Sequence, residues 1–252
     1  MKKTKIICVV GATASGKTAL GVELAKAVGG EIISADSMQV YKNMPIATAA
    51  ATNDEKQGVP HYLLEFLDSG DSFSVAEFVK LAKEKITDIA SRGKVPIIVG
   101  GTGLFVDSLV QNIEFADISA DESLRAELNG KSTDELYAML EKEDPTAAAN
   151  IHKNNRKRVI RALELAIGGT TKTEQNDNSR LADNPYDALY IGIGYKNRRT
   201  LYDRINRRVD IMIENGLVDE AKKMLSLTAT TAKQAIGHKE LSPYLSGEIS
   251  LD

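Results

Sequence analysis

With 252 residues, the chain is long enough to form one large domain, or one domain that carries an insertion. Its net charge of −3 does not by itself indicate a nucleic-acid-binding protein, so any such binding must come from local basic patches. The single cysteine, Cys8, excludes a disulfide framework and favours a reducing, cytoplasmic compartment. No apolar run is long enough for a transmembrane helix and no signal peptide is seen, so we expect no membrane association.

A glycine-rich loop lies between a predicted buried strand at 4–10 and a predicted helix at 16–28. The loop matches the phosphate-binding pattern G-x-x-x-x-G-K-[ST] in the strand–loop–helix context that the pattern requires. Its backbone N–H groups and the helix N-terminus are expected to bind a diphosphate, and this context disfavours a chance glycine-rich turn. The predicted diphosphate-binding residues are Gly11, Ala12, Thr13, Ala14, Ser15, Gly16, Lys17 and Thr18. Lys17 supplies a positive charge, and the Thr18 hydroxyl is the predicted ligand of Mg²⁺.

The rest of the chain begins as an alternation of strands and helices, which predicts an α/β fold with a parallel sheet. The further predicted strands are at 31–34, 61–66, 95–99 and 188–194, and helices follow at 74–91 and from about 103 to 110. Between 45 and 60 we expect a loop with one helical turn. Only helices are predicted at 121–128, 132–142, 145–150 and 154–167, followed by a polar, mobile loop at 169–187 and helices at 198–215, 217–226 and 230–241. We therefore predict a core of 1–115 and 186–252 that is interrupted by an all-helical insertion at 116–185.

Two polar clusters follow predicted strands, where parallel sheets bind their ligands. Asp36, about 20 residues past the phosphate loop, is a candidate proton acceptor, although it could equally cap a turn with Ser37. The glycines around Thr102 would let a substrate approach the backbone, although they are also typical of a simple helix start.

Two groups of basic residues are candidate anion sites. The segment 153–161 is the densest, and Arg158 and Arg161 lie on one side of its helix. Arg204 and Arg208, one helical turn apart, could clamp a diphosphate. A solvated helix face and intrahelical salt bridges are the alternatives for the two groups. The histidines and Cys8 lack the spacing of metal ligands.

Taken together, the ordered motifs resemble the tRNA dimethylallyltransferase (tRNA isopentenyltransferase) family over nearly the whole chain. The motifs occur at 11–18, 36–41, 100–104, 158–164, 201–210 and 234–241. The resemblance implies a P-loop NTPase-like fold that is used for transfer: a dimethylallyl group moves from its diphosphate to N6 of adenosine 37 in tRNA, with Mg²⁺. It also implies that the insertion binds the anticodon stem-loop.

The resemblance assigns roles to particular residues. It implies that Asp36 accepts the N6 proton while the loop and the arginines stabilise the leaving diphosphate. The catalytic residues implied are Asp36, Lys17, Thr18, Thr102, Arg204 and Arg208. The tRNA-binding residues implied are Asp36, Ser37, Met38, Gln39, Thr102, Arg125, Lys157, Arg158, Val159, Ile160 and Arg161. The enzyme is expected to act as a monomer.

The chain departs from the family pattern at several places. Ala50 and Ala51 stand where the family has lysine and proline, which should loosen that loop and remove a positive charge. Asn155 replaces an aspartate and His238 replaces a tyrosine. Family members also continue into a basic helix beyond the position of Asp252, and its absence is expected to weaken tRNA binding.

Three other functions remain as alternatives. One is transfer of the same group to free AMP, ADP or ATP, but a mononucleotide acceptor would not need the basic helical insertion. A small-molecule P-loop kinase is disfavoured by the later motifs. A catalytically degraded tRNA-binding protein is suggested by the two alanines, and the retained catalytic residues argue against it.

Overall fold

The computed structural model describes residues 3–113, 115, 121–181, 184–226, 235 and 237–251. The chain forms two compact units, one of Met1–Val110 with Pro185–Asp252 and one of Gln111–Asn184. In the described part of the chain, all named strands belong to the first unit. No described helix is both long and apolar enough to cross a lipid bilayer.

The first unit is built on a five-stranded parallel sheet with the order β3-β2-β4-β1-β5. Its strands are β1 (Thr4–Gly11), β2 (Gly30–Ser34), β3 (His61–Tyr62), β4 (Val95–Gly100) and β5 (Tyr186–Ile193). The central strands are apolar on both faces because helices cover parallel sheets from both sides, and Ile97 and Ile98 are fully buried. This confirms the predicted α/β fold. The strand predicted at 61–66 is shorter because Leu63, at φ 57°, leaves the extended region.

The helices before residue 111 surround this sheet. They are α1 (Lys17–Val28), α2 (Pro45–Thr48), α3 (Asn53–Lys56), α4 (Val75–Ser91) and α5 (Gly103–Val110). Helix α4 begins with a capping box in which the Ser74 hydroxyl accepts from Glu77 N at 3.2 Å and the Glu77 carboxylate accepts from Ser74 N at 2.7 Å. Its predicted apolar stripe, including Phe78 and Ile86, is buried.

The second unit is helical in its described part. It contains α6 (Glu122–Gly130), α7 (Thr133–Glu143), α8 (Pro145–Asn150), α9 (Arg156–Ile167) and α10 (Lys172–Leu181). Leu128, Leu140 and Leu163 form the centre of its core. The prediction of a mobile loop at 169–187 is wrong, because α10 occupies much of this range. The Thr171 hydroxyl and the Glu174 carboxylate form a capping box that starts α10, despite the polar residues that follow.

The chain returns to the first unit with α11 (Arg198–Glu214), α12 (Leu217–Ser226) and α13 (His238–Leu245). Helix α11 has no buried residue, and Val209 of its predicted apolar stripe is 46% exposed. Helix α12 does bury its apolar face, through Leu217 and Met224 among others. Half of the helix predicted at 230–241 lies outside the described residues, and α13 begins only at His238.

Candidate active site

The phosphate loop leads from the carboxyl end of β1 to the N-terminus of α1. Gly16 has φ 95°, a left-handed conformation that glycine adopts without the strain of a side chain. A Cβ on Gly11 would lie 2.7 Å from the carbonyl oxygen of Ile193, so the loop can pass this close to β5 only as glycine. Lys17 Nζ donates to the carbonyl oxygens of Gly11 and Ala12 at 3.0 and 2.7 Å, which holds the ammonium over the loop.

Two hydroxyl groups of the loop segment, on Ser15 and on Thr18, face different surroundings. The Ser15 Oγ atom is buried, with no hydrogen-bond partner among the described residues. Thr18 lines a small cavity together with Ser34, Gln39 and Ala51. Hydroxyl oxygens are hard ligands of the kind that Mg²⁺ takes alongside water and phosphate oxygens, so the position of Thr18 fits such an ion.

Asp36 follows β2 and forms a turn with its own neighbours. Its Oδ1 atom accepts from Met38 N at 2.9 Å and from Gln39 N at 3.3 Å. Asp36 therefore does cap a turn, as the alternative interpretation of the sequence expects. The other carboxylate oxygen makes no hydrogen bond within the described part of the chain, so capping uses only half of the group. Asp36 also interacts electrostatically with Lys17 and Arg208.

Thr102 is held beside this turn by a close approach of two strand ends. A Cβ on Gly100 would lie 2.1 Å from the carbonyl oxygen of Ala35, so β2 and β4 can meet here only because residue 100 is glycine. The Thr102 Oγ1 atom accepts from Ser37 N at 3.3 Å. Gly100 therefore admits neighbouring backbone, whereas a Cβ on Gly103 would meet nothing within 4 Å, so close approach of a substrate stays a prediction for Gly101 and Gly103.

Helix α11 brings both predicted arginines to the phosphate loop. Arg204 Nε donates to the carbonyl oxygen of Ala14 at 2.9 Å. Burial lowers the pKa of the Arg208 guanidinium, and the Asp36 carboxylate opposes that effect. Burial likewise lowers the pKa of Lys17; Asp36 acts to raise it and Arg208 to lower it further. Lys17 and Arg208 thus lie near the Asp36 carboxylate, and Glu55 also acts on Arg208, a charge distribution that suits the binding of a polyanion.

Tyr195 is a site residue that the sequence analysis missed. The Arg204 guanidinium lies over its ring, 5.6 Å from the centroid, and the Tyr195 hydroxyl donates to the Ser15 carbonyl oxygen at 3.3 Å. It follows β5 directly, so the rule that pointed to Asp36, a polar residue just past the carboxyl end of a strand, applies to it as well.

The residues after Asp36 are partly committed to internal contacts. Gln39 Nε2 donates to the carbonyl oxygens of Thr48 and Ala49 at 3.1 and 3.2 Å. Met38 packs against the buried cluster around Val40. Ala50 and Ala51 are buried, and the Ala50 N–H donates to the Pro45 carbonyl oxygen at 3.0 Å; the loosening expected from the two alanines stays a prediction.

The predicted tRNA-binding residues of α9 separate into two groups. Lys157, Arg158 and Arg161 are exposed, whereas Val159 and Ile160 are 1% and 7% exposed and pack in the helical core. The expectation that the last two side chains contact tRNA is therefore corrected. Arg125 pairs with Glu164 through two hydrogen bonds of 2.6 and 2.8 Å, and Arg161 donates to the same buried carboxylate at 3.1 Å.

Cys8, His61 and His238, which lack the sequence spacing of metal ligands, are buried or hydrogen-bonded to neighbouring groups. Burial raises the pKa of the Cys8 thiol to about 12, which keeps it neutral at physiological pH. His61 Nδ1 bonds to the Val59 carbonyl at 2.8 Å, and His238 is buried against Glu220. Within the described residues, no group of three or more His, Cys, Asp and Glu side chains could hold a metal ion.

The parallel sheet, the glycine-rich loop after β1 and the helix α1 that follows it define a P-loop-like α/β protein. Residues 39–252 match the family model described as IPP transferase. A tRNA dimethylallyltransferase of Halalkalibacterium halodurans is 48% identical over 99% of this chain and 82% of its own length. The enzyme of that name from an Exiguobacterium strain is 46% identical over 100% of this chain and 81% of its own length. The chain belongs to the tRNA dimethylallyltransferase (IPP transferase) family.

Solved structures agree with this assignment. The crystal structure of the full-length tRNA isopentenylpyrophosphate transferase from Bacillus halodurans is 45% identical, with a TM-score of 0.69 over 99% of this chain and 80% of that chain. A eukaryotic dimethylallyltransferase acting on tRNA is 31% identical, with a TM-score of 0.81 over 97% of this chain and 64% of that chain. Both support the α/β, P-loop-like fold.

Proposed function

We propose that this site transfers a dimethylallyl group from dimethylallyl diphosphate to N6 of adenosine 37 in tRNA. One observation carries the proposal: the phosphate loop, the arginines of α11 and Asp36 lie together at one edge of the sheet. Of the Asp36 carboxylate, only Oδ1 is used by the turn. A P-loop kinase would use the same phosphate loop, so the loop alone does not distinguish the two activities. Family membership favours prenyl transfer.

The basic side of the site suits the leaving group. The loop N–H groups, Lys17, Arg204 and Arg208 bind the diphosphate and stabilise the charge that grows as the C–O bond breaks. The Thr18 hydroxyl would hold Mg²⁺, which supplies further charge neutralisation on the diphosphate when bound. Because Arg204 is fixed between Ala14 and Tyr195, little reorganisation is needed during the reaction.

The carboxylate side of the site suits the acceptor. As the bond from N6 to the dimethylallyl carbon forms, the C–O bond to the diphosphate breaks and N6 loses a proton to Asp36. The bonds from Met38 N and Gln39 N fix Asp36 Oδ1 and leave the second oxygen for this proton. Thr102, held by Ser37 N, is placed beside the same turn to donate a hydrogen bond to the base.

The acceptor adenine must leave the stacked anticodon loop to reach these groups, and the tRNA needs separate contacts that hold it. The exposed basic face of α9, with Lys157, Arg158 and Arg161, suits the phosphates of the anticodon stem-loop. Arg125 belongs to the same set through its shared partner Glu164. We propose that one chain acts alone on one tRNA in the cytoplasm.

The test offers labelled dimethylallyl diphosphate and Mg²⁺ to the purified protein with parallel acceptors. These are an unmodified tRNA with adenosine at positions 36 to 38, the same tRNA with guanosine at position 37, and free AMP. Label on the first tRNA alone supports the proposal. Label on AMP would instead identify an adenylate isopentenyltransferase, and bound but unlabelled tRNA would identify a degraded binding protein.

A further inference from the structure

A half-buried carboxylate on α12 lies outside the reactive groups described above. The Glu220 side chain is 9% exposed. Its Oε2 atom accepts from Ile46 N and its Oε1 atom from Ala47 N, both at 2.9 Å, so it caps the N-terminus of α2. His238 Nε2 lies 3.0 Å from Oε1, and the His238 side chain is fully buried.

The capping role of Glu220 has a local cause. The N-cap residue of α2, Met44, has no side chain that can accept a hydrogen bond, so the first N–H groups of the helix need a partner from elsewhere. A carboxylate provides two acceptors and a negative charge at the positive end of the helix. Burial alone would raise the pKa of Glu220, but hydrogen bonds from His238, Ala47 and Ile46 hold it below its ordinary value.

The other end of α2 touches the acceptor side of the site. The carbonyl oxygens of Thr48 and Ala49 accept from Gln39 Nε2, and Gln39 Oε1 accepts from the Ser34 hydroxyl at 3.0 Å. The backbone N–H of Gln39 in turn donates to Asp36. A continuous set of hydrogen bonds therefore runs from Glu220 through the four-residue helix α2 to Gln39 and Asp36.

We infer that Glu220 is a positioning residue that fixes Asp36 and Gln39 through α2, with His238 fixing Glu220. The inference rests on the proposed role of Asp36 as proton acceptor. Glu220 touches neither substrate, so it acts on the geometry of the acceptor turn and not on the diphosphate site. Because α2 is a single turn, it cannot stay in place by its own helical hydrogen bonds once the cap is lost.

The first variant is Glu220→Gln, which keeps the side-chain size but turns one acceptor into a donor that faces an N–H group. We expect kcat with tRNA to fall by roughly 10- to 100-fold, the scale of a small misplacement of a reacting group, with an unchanged KM for dimethylallyl diphosphate. Asp219→Asn is the matched control, because it removes a charge from the exposed neighbouring residue and should leave kcat unchanged. A rise in the diphosphate KM together with the fall in kcat would indicate general damage and overturn the inference.

A double-variant cycle separates positioning from structural support. If Glu220 acts through Asp36, Glu220→Gln should have little further effect in an Asp36→Asn background, because the group that it positions is already gone. Fully additive losses would contradict the inference. His238→Leu should lower kcat by roughly two- to tenfold, and His238→Gln, which keeps a donor to Glu220, should restore it.

Hydrogen exchange tests the inference without any activity. Glu220→Gln should raise amide exchange across 36–49 and leave the phosphate loop at 11–18 as in the unaltered chain. Unchanged exchange at 36–49 would overturn the inference. An unaltered chain that transfers nothing to tRNA would instead overturn the proposed function, so the two failures are distinguishable.

Discussion

At the scale of single residues, the proposed reaction assigns the leaving group to Lys17 and the acceptor to Asp36. Lys17 is held over the phosphate loop by two carbonyl oxygens, and Asp36 is held in its turn by two backbone N–H groups. Their electrostatic interaction keeps opposite charges together before either substrate arrives. Each residue can therefore be tested by a change that leaves its neighbours in place.

Lys17→Met should remove the charge and keep most of the side-chain volume. We expect kcat/KM for dimethylallyl diphosphate to fall by roughly 10²- to 10³-fold, since one preorganised cation facing the developing charge is lost. Steady-state kinetics with varied diphosphate measures this, and Lys5→Met on β1 provides a control of the same chemistry. A loss smaller than about threefold would contradict the role given to Lys17.

Asp36→Asn should separate catalysis from turn formation. The amide oxygen can still accept from Met38 N and Gln39 N, so the turn is expected to persist, but the group can no longer take a proton at neutral pH. Transfer should fall by roughly 10²- to 10⁴-fold, while the Kd for tRNA stays within about twofold. An equal loss of tRNA affinity in filter-binding measurements would show that Asp36 serves binding instead.

Prediction from the sequence is most direct where the signal is local. The phosphate loop is contiguous, and its predicted strand–loop–helix context is confirmed by β1 and α1. Glu220 could not be found in this way, because it caps α2 through Ile46 and Ala47, which are distant in the sequence. Tyr195 had a local signal, its position just past β5, but its bond to the loop at Ser15 forms only in the fold.

At the scale of secondary-structure elements, strong periodicity predicted most helices and strands, and the failures have identifiable causes. Helix α10 was predicted as a loop because polar residues dominate it, yet the capping box at Thr171 and a bond from Thr173 N to Asp144 fix its first turn. The apolar stripe of α11 suggested a packed helix, but no residue of α11 is buried. Local pattern does not report what a face packs against.

An ion pair between a buried carboxylate and an exposed arginine joins three elements at the edge of the sheet. Glu31 on β2 is 3% exposed; its carboxylate accepts from both terminal nitrogens of Arg92 at 2.7 Å and from the Tyr62 hydroxyl at 2.8 Å. Glu31→Gln should lower the free energy of unfolding by about 1 kcal/mol, because the carboxylate loses its charge-assisted bonds to Arg92 and Lys94. The loss stays small because Arg92 is 37% exposed and keeps Asp88 as a partner. Urea unfolding at pH 7 measures this change. Glu23→Gln on the exposed side of α1 is the control. Glu77→Gln is unsuitable, because the Glu77 carboxylate caps α4.

The same pair gives a pH dependence with a definite sign. Hydrogen bonds from Arg92 lower the pKa of Glu31 from its ordinary 4.5 to about 2. A depressed carboxylate pKa stabilises the fold fully above pH 4.5 and progressively less as the pH falls towards 2. The stability gap between the unaltered chain and Glu31→Gln should therefore narrow between pH 4.5 and 2. A gap that widens on acidification would contradict this assignment.

At the scale of the whole molecule, the chain combines a sheet-based unit that carries the reactive groups with a helical unit that carries the exposed basic helix α9. The salt dependence of tRNA binding should show whether the basic residues of the second unit contact tRNA phosphates. Lys157→Ala with Arg158→Ala should reduce the slope of log K against log salt by roughly two, since each cation accounts for about one phosphate contact. Lys142→Ala, at an exposed position on α7, is the control and should leave the slope unchanged. An unchanged slope in the double variant would show that Lys157 and Arg158 do not contact tRNA phosphates.

The activity itself is read from tRNA nucleosides. The chain is expressed in a bacterial strain that lacks its own tRNA dimethylallyltransferase, and the digested tRNA is analysed by liquid chromatography and mass spectrometry. We expect N6-dimethylallyladenosine to appear at position 37, and to be absent when Asp36→Asn is expressed at the same level. Unmodified adenosine at position 37 in cells that contain the folded, unaltered protein would contradict the proposed transfer to tRNA.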